Sequence, residues 1–120
     1  MALGTPGGTR IYPAVMQAIV NVIDHGMSLQ EAVEAPRVWT SGGPLHMEAG
    51  IAAPVRAALA AMGHDVRSMA RVAGGMNGVY RSKDGLLHGA ACWRADGCPA
   101  GYSGGYTELS RETGVSAGFF

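Results

Sequence analysis

The hydrophobic residues between positions 11 and 23 recur every three or four residues, which is the spacing of one face of a helix. They are Ile11, Val15, Ala18, Ile19, Val22 and Ile23. Pro13 falls in the first turn, where a missing N–H is tolerated, and Gly26 provides a C-terminal stop. The pattern predicts an amphipathic helix of about 14 residues, buried on one side.

Two shorter helices are predicted from their start signals. Ser28-Leu-Gln-Glu31 has the spacing of a capping box, so a helix should run from Leu29 to about Ala35. Pro54 suits the first turn of a third helix over residues 55–62. Because this helix is rich in alanine, we expect it to pack closely against its neighbours rather than to carry a site.

Three short segments are predicted as strands. They are the apolar run that ends at Gly4, the alternating residues 45–48 and residues 64–69. The strongest hairpin signal joins residues 76–80 to residues 86–90 across Lys83-Asp-Gly85. The chain therefore combines helices with short strands.

The turn Thr5-Pro-Gly-Gly8 separates the first strand from the long helix. Gly7 and Gly8 lack a Cβ, so they can adopt positive φ and leave their N–H groups uncovered. Beside the positive end of the helix dipole, these donors suit an anion or a developing oxyanion. A turn that serves packing alone is the alternative, since Gly-Gly turns are common. Neither the P-loop lysine nor the G-x-G-x-x-G spacing is present.

Composition limits the partners. The chain has 120 residues, a formal net charge of zero and 48% hydrophobic residues. This is one domain or less, and it gives no electrostatic reason to bind nucleic acid or an anionic membrane surface. The longest apolar helix contains Gln17 and Asn21 and is too short to span a bilayer. The chain starts inside a predicted strand without a signal peptide, so we expect a truncated piece of a larger protein.

Metal and cofactor sites are not expected. The four histidines lie far apart in different predicted elements and lack ligand spacing. Cys92 and Cys98 are close enough for a small disulfide loop in an oxidising compartment, and two free thiols are equally consistent with the sequence. We predict no metal and no cofactor.

A family resemblance adds to these predictions. The stretch LGTPGGTR, residues 3–10, precedes the long amphipathic helix and then EAVEAPR, which ends at Arg37. Together with Gly63-His64 and Gly89-Ala-Ala, these features resemble the C-terminal part of the small subunit of γ-glutamyltransferases, also called γ-glutamyltranspeptidases. The resemblance implies an α+β fold, the αββα sandwich of N-terminal-nucleophile hydrolases, with residues 1–102 as a C-terminal fragment of it. We expect residues 103–120, rich in Gly and Ser, to form a poorly ordered tail.

The resemblance also implies an activity. Such an enzyme transfers or hydrolyses γ-glutamyl groups, as in glutathione-type substrates, through an acyl-enzyme on an N-terminal Thr. That Thr lies upstream of the turn and is absent here, so Thr5 and Thr9 are not candidates. Gly7 and Gly8 would supply the backbone oxyanion hole. The chain would need the upstream part of the small subunit and the large subunit as partners, and alone it should be inactive.

Several points remain open in the sequence. The family has an Asp-Pro-Arg segment where this chain has Cys92-Trp93-Arg94, so only the Arg matches. For Arg37 we expect an ion pair or a carbonyl-capping role. An acylase of side-chain amides, which shares the fold, and a non-catalytic α+β assembly partner are the alternative functions. The family suggests a periplasmic or extracellular location, and a cytoplasmic one is also compatible with the sequence.

Overall fold

A computed structural model describes residues 1–101, and the predicted tail lies outside the described residues. In this part of the chain the helices are α1 (Ile11–Ile23), α2 (Leu29–Glu34) and α3 (Ala53–Ala61). The strands are β1 (Ala2–Gly4), β2 (Val38–Trp39), β3 (Leu45–Glu48), β4 (Val66–Met69), β5 (Asn77–Arg81) and β6 (Leu87–Ala91). Single 3-10 turns occupy Gly8–Arg10 and Trp93–Ala95.

The predicted capping box and hairpin are both confirmed. The Glu31 N–H donates to the Ser28 hydroxyl at 3.3 Å, and the Ser28 N–H donates to the Glu31 carboxylate at 2.8 Å. Two donors at the start of α2 are thereby satisfied. Strands β5 and β6 pair from Asn77 opposite Ala91 to Arg81 opposite Leu87.

The strands form two separate three-stranded sheets. In the first, the order is β1-β5-β6 and all neighbours are antiparallel. In the second, β2 and β3 are antiparallel, while β3 and β4 are parallel and are connected through α3. A parallel pair needs such a crossover connection.

Helices α1 and α2 cover one face of the first sheet and form the core with it. The buried cluster consists of Ala14, Ala18, Leu29, Val33, Met76, Ala90 and Cys92. Strand β5 approaches closely because Gly78 has no side chain: a Cβ there would lie 2.5 Å from Leu3 Cδ2. Of the residues predicted to face the core from α1, Ala18 is buried and Val15 and Val22 are partly buried against it, whereas Ile11 and Ile23, at the two ends of the helix, are exposed.

Two glutamines pair with backbone groups at sheet edges. The Gln17 amide donates to the Val38 carbonyl at 2.9 Å and accepts from the Val38 N–H at 2.9 Å. The Gln30 amide does the same at Ala91, at 2.8 and 3.3 Å. Each glutamine thereby joins a helix to an edge strand and satisfies backbone groups that a neighbouring strand would otherwise take.

The expectation that α3 packs closely is wrong for the described residues. No residue of α3 is buried. The helix is held instead by Arg56, which donates to the Ile51 carbonyl at 2.9 Å and to the Ser68 hydroxyl at 3.2 Å. Alanine side chains bury little apolar area, and the hydrogen bonds of Arg56 connect α3 to the neighbouring segments.

Candidate active-site turn

The glycine turn has the predicted strand–turn–helix form. Strand β1 ends at Gly4, and the chain passes through Gly7 and Gly8 with φ of +145° and +59° before α1 begins. The Arg10 N–H donates to the Gly7 carbonyl at 3.2 Å, which closes the turn. Both glycines are exposed.

The N–H groups of Gly7 and Gly8 are available to a ligand. Neither of them donates to any acceptor within residues 1–101. They lie at the N-terminal side of the 13-residue helix α1, where the helix dipole favours negative charge. The turn can therefore offer two backbone donors to an anionic oxygen.

The two glycines are required for different reasons. A Cβ at Gly7 would lie 2.9 Å from Ala73 Cβ and 3.0 Å from Ala73 Cα, so a side chain does not fit. A Cβ at Gly8 would meet nothing within 4 Å, but its φ of +59° is strained for any L side chain. Gly7 is required by packing and also by its positive φ, whereas Gly8 is required by its positive φ alone.

A second segment, Val72–Gly74, lies directly against the turn; we call it the supporting loop. The Gly74 N–H donates to the Pro6 carbonyl at 2.8 Å, and the Thr5 hydroxyl donates to the Gly74 carbonyl at 2.9 Å. Ala73 has a φ of +62°, an uncommon value for a residue with a side chain. The turn and the loop are thus joined by hydrogen bonds and by close packing.

A buried cluster of Arg37, Glu48 and Arg94 holds the supporting loop in place; we call it the ionic cluster. The three residues are 2%, 1% and 2% exposed. Arg94 Nε donates to Glu48 Oε1 at 2.7 Å, and Arg94 Nη2 donates to Glu48 Oε2. The N–H groups of Arg37 and Val72 also donate to the Glu48 carboxylate, at 2.8 and 2.7 Å.

Arg37 caps backbone carbonyls, one of the two roles expected for it. Its Nη1 donates to the carbonyls of Val72 and Gly74 at 3.0 and 3.1 Å, and its Nη2 donates to the Val33 carbonyl at 3.2 Å. Nη2 also approaches the Cys92 thiol sulfur at 3.8 Å. Burial, together with the nearby charge of Arg94, lowers the pKa of Arg37.

Glu48 is the acidic member of the ionic cluster. Burial alone would raise its pKa, but hydrogen bonds from Arg94 and from the Val72 and Arg37 N–H groups outweigh burial, so the pKa is lowered. For Arg94, burial would lower the pKa, but the hydrogen bonds with Glu48 raise it. The Glu48–Arg94 pair is therefore ionised, and its carboxylate oxygens accept from both side chain and backbone.

The remaining candidate groups do not join the turn. Among residues 1–101, no three His, Cys, Asp or Glu side chains are grouped so that they could hold a metal ion. Cys92 is a buried free thiol and Cys98 an exposed one. No helix in the same part of the chain is both long and apolar enough to cross a membrane.

Fold and turn together define a class: an α+β chain in which a glycine turn exposes backbone donors at the start of a helix. Residues 1–102 match the family described as Gamma-glutamyltranspeptidase, and the chain belongs to this family. The resemblance inferred from LGTPGGTR and EAVEAPR is thereby confirmed.

Relatives within the family carry two kinds of name. The chain is 62% identical over 104 residues to the acylase ACY 1 proenzyme of Pseudomonas sp. (strain SE83), covering 87% of this chain and 19% of the relative. It is 35% identical over 105 residues to the glutathione hydrolase proenzyme of Escherichia coli (strain K12), covering 85% and 18%. The cephalosporin acylase from Bacillus halodurans superposes with a TM-score of 0.79 at 29% identity, covering 86% of this chain and 20% of that one.

The chain spans about a fifth of the length of the curated relatives it matches. Solved γ-glutamyltranspeptidases share its structure, so the expected α+β fold of the N-terminal-nucleophile hydrolases is confirmed. The names of the relatives are those of enzymes.

Proposed function

We propose that this chain supplies the oxyanion-stabilising turn of an enzyme that cleaves amides by acyl transfer. The observation that carries the proposal is the pair of exposed N–H groups at Gly7 and Gly8, which have no acceptor within residues 1–101. Family membership supports an N-terminal Thr as nucleophile, contributed from outside this chain. The chain then acts with the remaining part of the small subunit and with the large subunit.

The chemistry follows from where charge develops. Attack of the Thr oxygen on the amide carbonyl moves an electron pair onto the carbonyl oxygen, and the Thr α-amino group takes the hydroxyl proton. Donors at Gly7 and Gly8 stabilise that oxyanion. Collapse expels the amine, which takes up a proton, and leaves the acyl group on Thr. The absence of one such donor typically raises the barrier by about 3 kcal/mol.

Two classes of acyl group are candidates for the substrate. The relationship to a glutathione hydrolase supports a γ-glutamyl amide, and water or an amine would then accept the acyl group. The higher identity to an acylase, 62%, supports the side-chain amide of a cephalosporin-type substrate equally. The two classes share the oxyanion chemistry and differ in what the acyl pocket must bind.

A hybrid enzyme tests the proposal. Residues 1–102 replace the matching segment of the Pseudomonas acylase proenzyme in one version and of the Escherichia coli glutathione hydrolase proenzyme in another. Each hybrid is assayed with γ-glutamyl p-nitroanilide and with glutaryl p-nitroanilide, which lacks only the α-amino group. Release of nitroaniline by either hybrid supports the proposal, because residues 1–102 then supply a working oxyanion turn, whereas folded hybrids that are both inactive would contradict it. A change in a hybrid's preference between the two anilides, relative to its parent enzyme, indicates which acyl group this segment favours.

The decisive variant is Gly8→Ala in the active hybrid. Because Gly8 has a φ of +59° and open space around it, alanine fits but forces the N–H to move. We expect kcat to fall by about 100-fold, as for an impaired oxyanion donor. The matched control is Gly42→Ala, at another open glycine with a φ of +96°, which should leave kcat unchanged. Equal effects of the two variants would contradict the proposed role.

A further inference from the structure

The peptide that joins Pro6 to Gly7 carries one of the two proposed donors, the Gly7 N–H. Its carbonyl accepts from the Gly74 N–H at 2.8 Å. The peptide is trans, so its C=O and N–H groups point in opposite directions. The bond that holds the carbonyl towards Gly74 therefore directs the Gly7 N–H away from the supporting loop.

The Thr5 hydroxyl completes this contact from the other side. Thr5 is only 9% exposed, and its hydroxyl donates to the Gly74 carbonyl at 2.9 Å, with the Pro6 carbonyl at 3.3 Å as a second acceptor. Both carbonyls belong to the contact between turn and loop. One buried hydroxyl thus links the residue before Pro6 to the loop that orients the Pro6–Gly7 peptide.

The supporting loop is itself firmly anchored. The Val72 N–H donates to the Glu48 carboxylate at 2.7 Å, and Arg37 Nη1 binds the Val72 and Gly74 carbonyls at 3.0 and 3.1 Å. Since both arginines and the glutamate of the ionic cluster are buried, these bonds are little screened by water. The supporting loop is therefore held in place, and its hydrogen bond from Gly74 to the Pro6 carbonyl orients the turn.

We infer that Thr5 is a positioning residue for the proposed reaction, an inference that rests on the proposed function. Its hydroxyl holds the Pro6–Gly7 peptide against Gly74, so that the Gly7 N–H is aimed outward before the substrate arrives. Donors that are already oriented stabilise the oxyanion without reorganisation during the reaction. The hydrogen bond from the Gly74 N–H to the Pro6 carbonyl also polarises the Pro6–Gly7 peptide, which makes the Gly7 N–H a stronger donor.

Two substitutions in the active hybrid separate the hydroxyl from the methyl group. Thr5→Val keeps the shape and removes the hydroxyl, while Thr5→Ser keeps the hydroxyl and removes the methyl. We expect Thr5→Val to lower kcat about tenfold with KM unchanged, because the oxyanion exists only after binding. Thr5→Ser should restore most of kcat. Rates are taken per active site, counted from the initial burst of nitroaniline, so that unfolded protein does not contribute.

The control is Thr40→Val, which removes a hydroxyl that donates to the Gly43 carbonyl at 3.2 Å in an exposed turn. It should leave kcat unchanged. An unchanged kcat in Thr5→Val, or equal losses in Thr5→Val and Thr5→Ser, would overturn the inference. Gly8→Ala in the same hybrid separates the two proposals. If Gly8→Ala also keeps full kcat, the proposed function is wrong. If Gly8→Ala lowers kcat while Thr5→Val leaves it unchanged, only the positioning role of Thr5 is wrong.

Discussion

Two Gly-Gly turns among residues 1–101 are exposed, and they differ in what surrounds them. Gly7-Gly8 joins a strand to a long helix, whereas Gly42-Gly43 joins β2 to β3. In the second turn the Gly42 N–H donates to the Thr40 hydroxyl at 3.2 Å, so this turn satisfies a donor locally. The N–H groups of Gly7 and Gly8 have no acceptor among residues 1–101.

Packing separates the two turns further. A Cβ at Gly42 or Gly43 would meet nothing within 4 Å, while a Cβ at Gly7 would meet Ala73 at 2.9 Å. The ionic cluster binds the supporting loop next to Ala73, through buried hydrogen bonds to the Val72 carbonyl and N–H. The same dipeptide is therefore a simple connection in one place and a rigidly supported pair of donors in the other.

The largest expected effect concerns the chain by itself. Residues 1–120 alone should hydrolyse neither anilide, because the proposed nucleophile needs a free α-amino group and neither Thr5 nor Thr9 has one. Exposed apolar residues on the hairpin, such as Val79 and Leu87 at 48% and 63%, should also make the isolated chain self-associate. Nitroaniline release and light scattering measure the two properties.

The corresponding positive control is the chain mixed with the remaining part of the acylase proenzyme. Activity of the mixture but not of the isolated chain supports the proposal that the Gly7-Gly8 turn acts together with the rest of the enzyme. Release of nitroaniline by the isolated chain would mean that it contains a nucleophile of its own, and a monodisperse, cooperatively melting monomer would contradict the expected self-association.

The second largest effect should come from Glu48→Gln in the hybrid. This change leaves the buried Arg94 without its carboxylate partner, and breaking a buried pair typically destabilises a protein by about 3–5 kcal/mol. Urea unfolding measures the free energy. Amide hydrogen exchange should increase at Gly74, whose N–H donates to the Pro6 carbonyl, but not at Gly42, whose N–H donates to the Thr40 hydroxyl. The control is Glu34→Gln at an exposed position. Equal exchange changes at Gly74 and Gly42 would contradict the special support of the first turn.

The sequence predicts the helices and strands well because their signals are local. The periodicity of α1, the capping box at Ser28 and the hairpin β5–β6 each depend on residues within one short window. The glycine turn is predictable for the same reason, since strand, Pro-Gly-Gly and helix follow one another directly.

The support behind the turn is not local, and the sequence did not predict it. Glu48 meets Arg94, 46 positions away, and the supporting loop meets Thr5, 69 positions away. The alternation over residues 45–48 predicts a solvent-facing side chain for Glu48, so the local pattern carries no signal for its burial. The surface position of α3 was also missed, since alanine content does not determine whether a partner is present.

The smallest expected effect is the dependence of stability on pH. Hydrogen bonds to Arg94, Val72 and Arg37 hold the pKa of Glu48 below its usual 4.5 in spite of burial. A carboxyl whose pKa is lower in the folded state stabilises fully above pH 4.5, and this stabilisation is lost as the pH falls through the lowered pKa. The melting temperature of the hybrid should therefore fall on acidification below pH 4.5, and less steeply in Glu48→Gln, which has nothing to protonate at that position.

Glu31 also has a lowered pKa, through its bonds to Ser28, so Glu31→Gln is the control. Because Glu31 is exposed, that variant should keep most of the acid sensitivity. A Glu48→Gln curve parallel to that of the unchanged hybrid would mean that acid does not act through the ionic cluster. The support of the Gly7-Gly8 turn would then rest on its hydrogen bonds with Gly74 and on packing against Ala73.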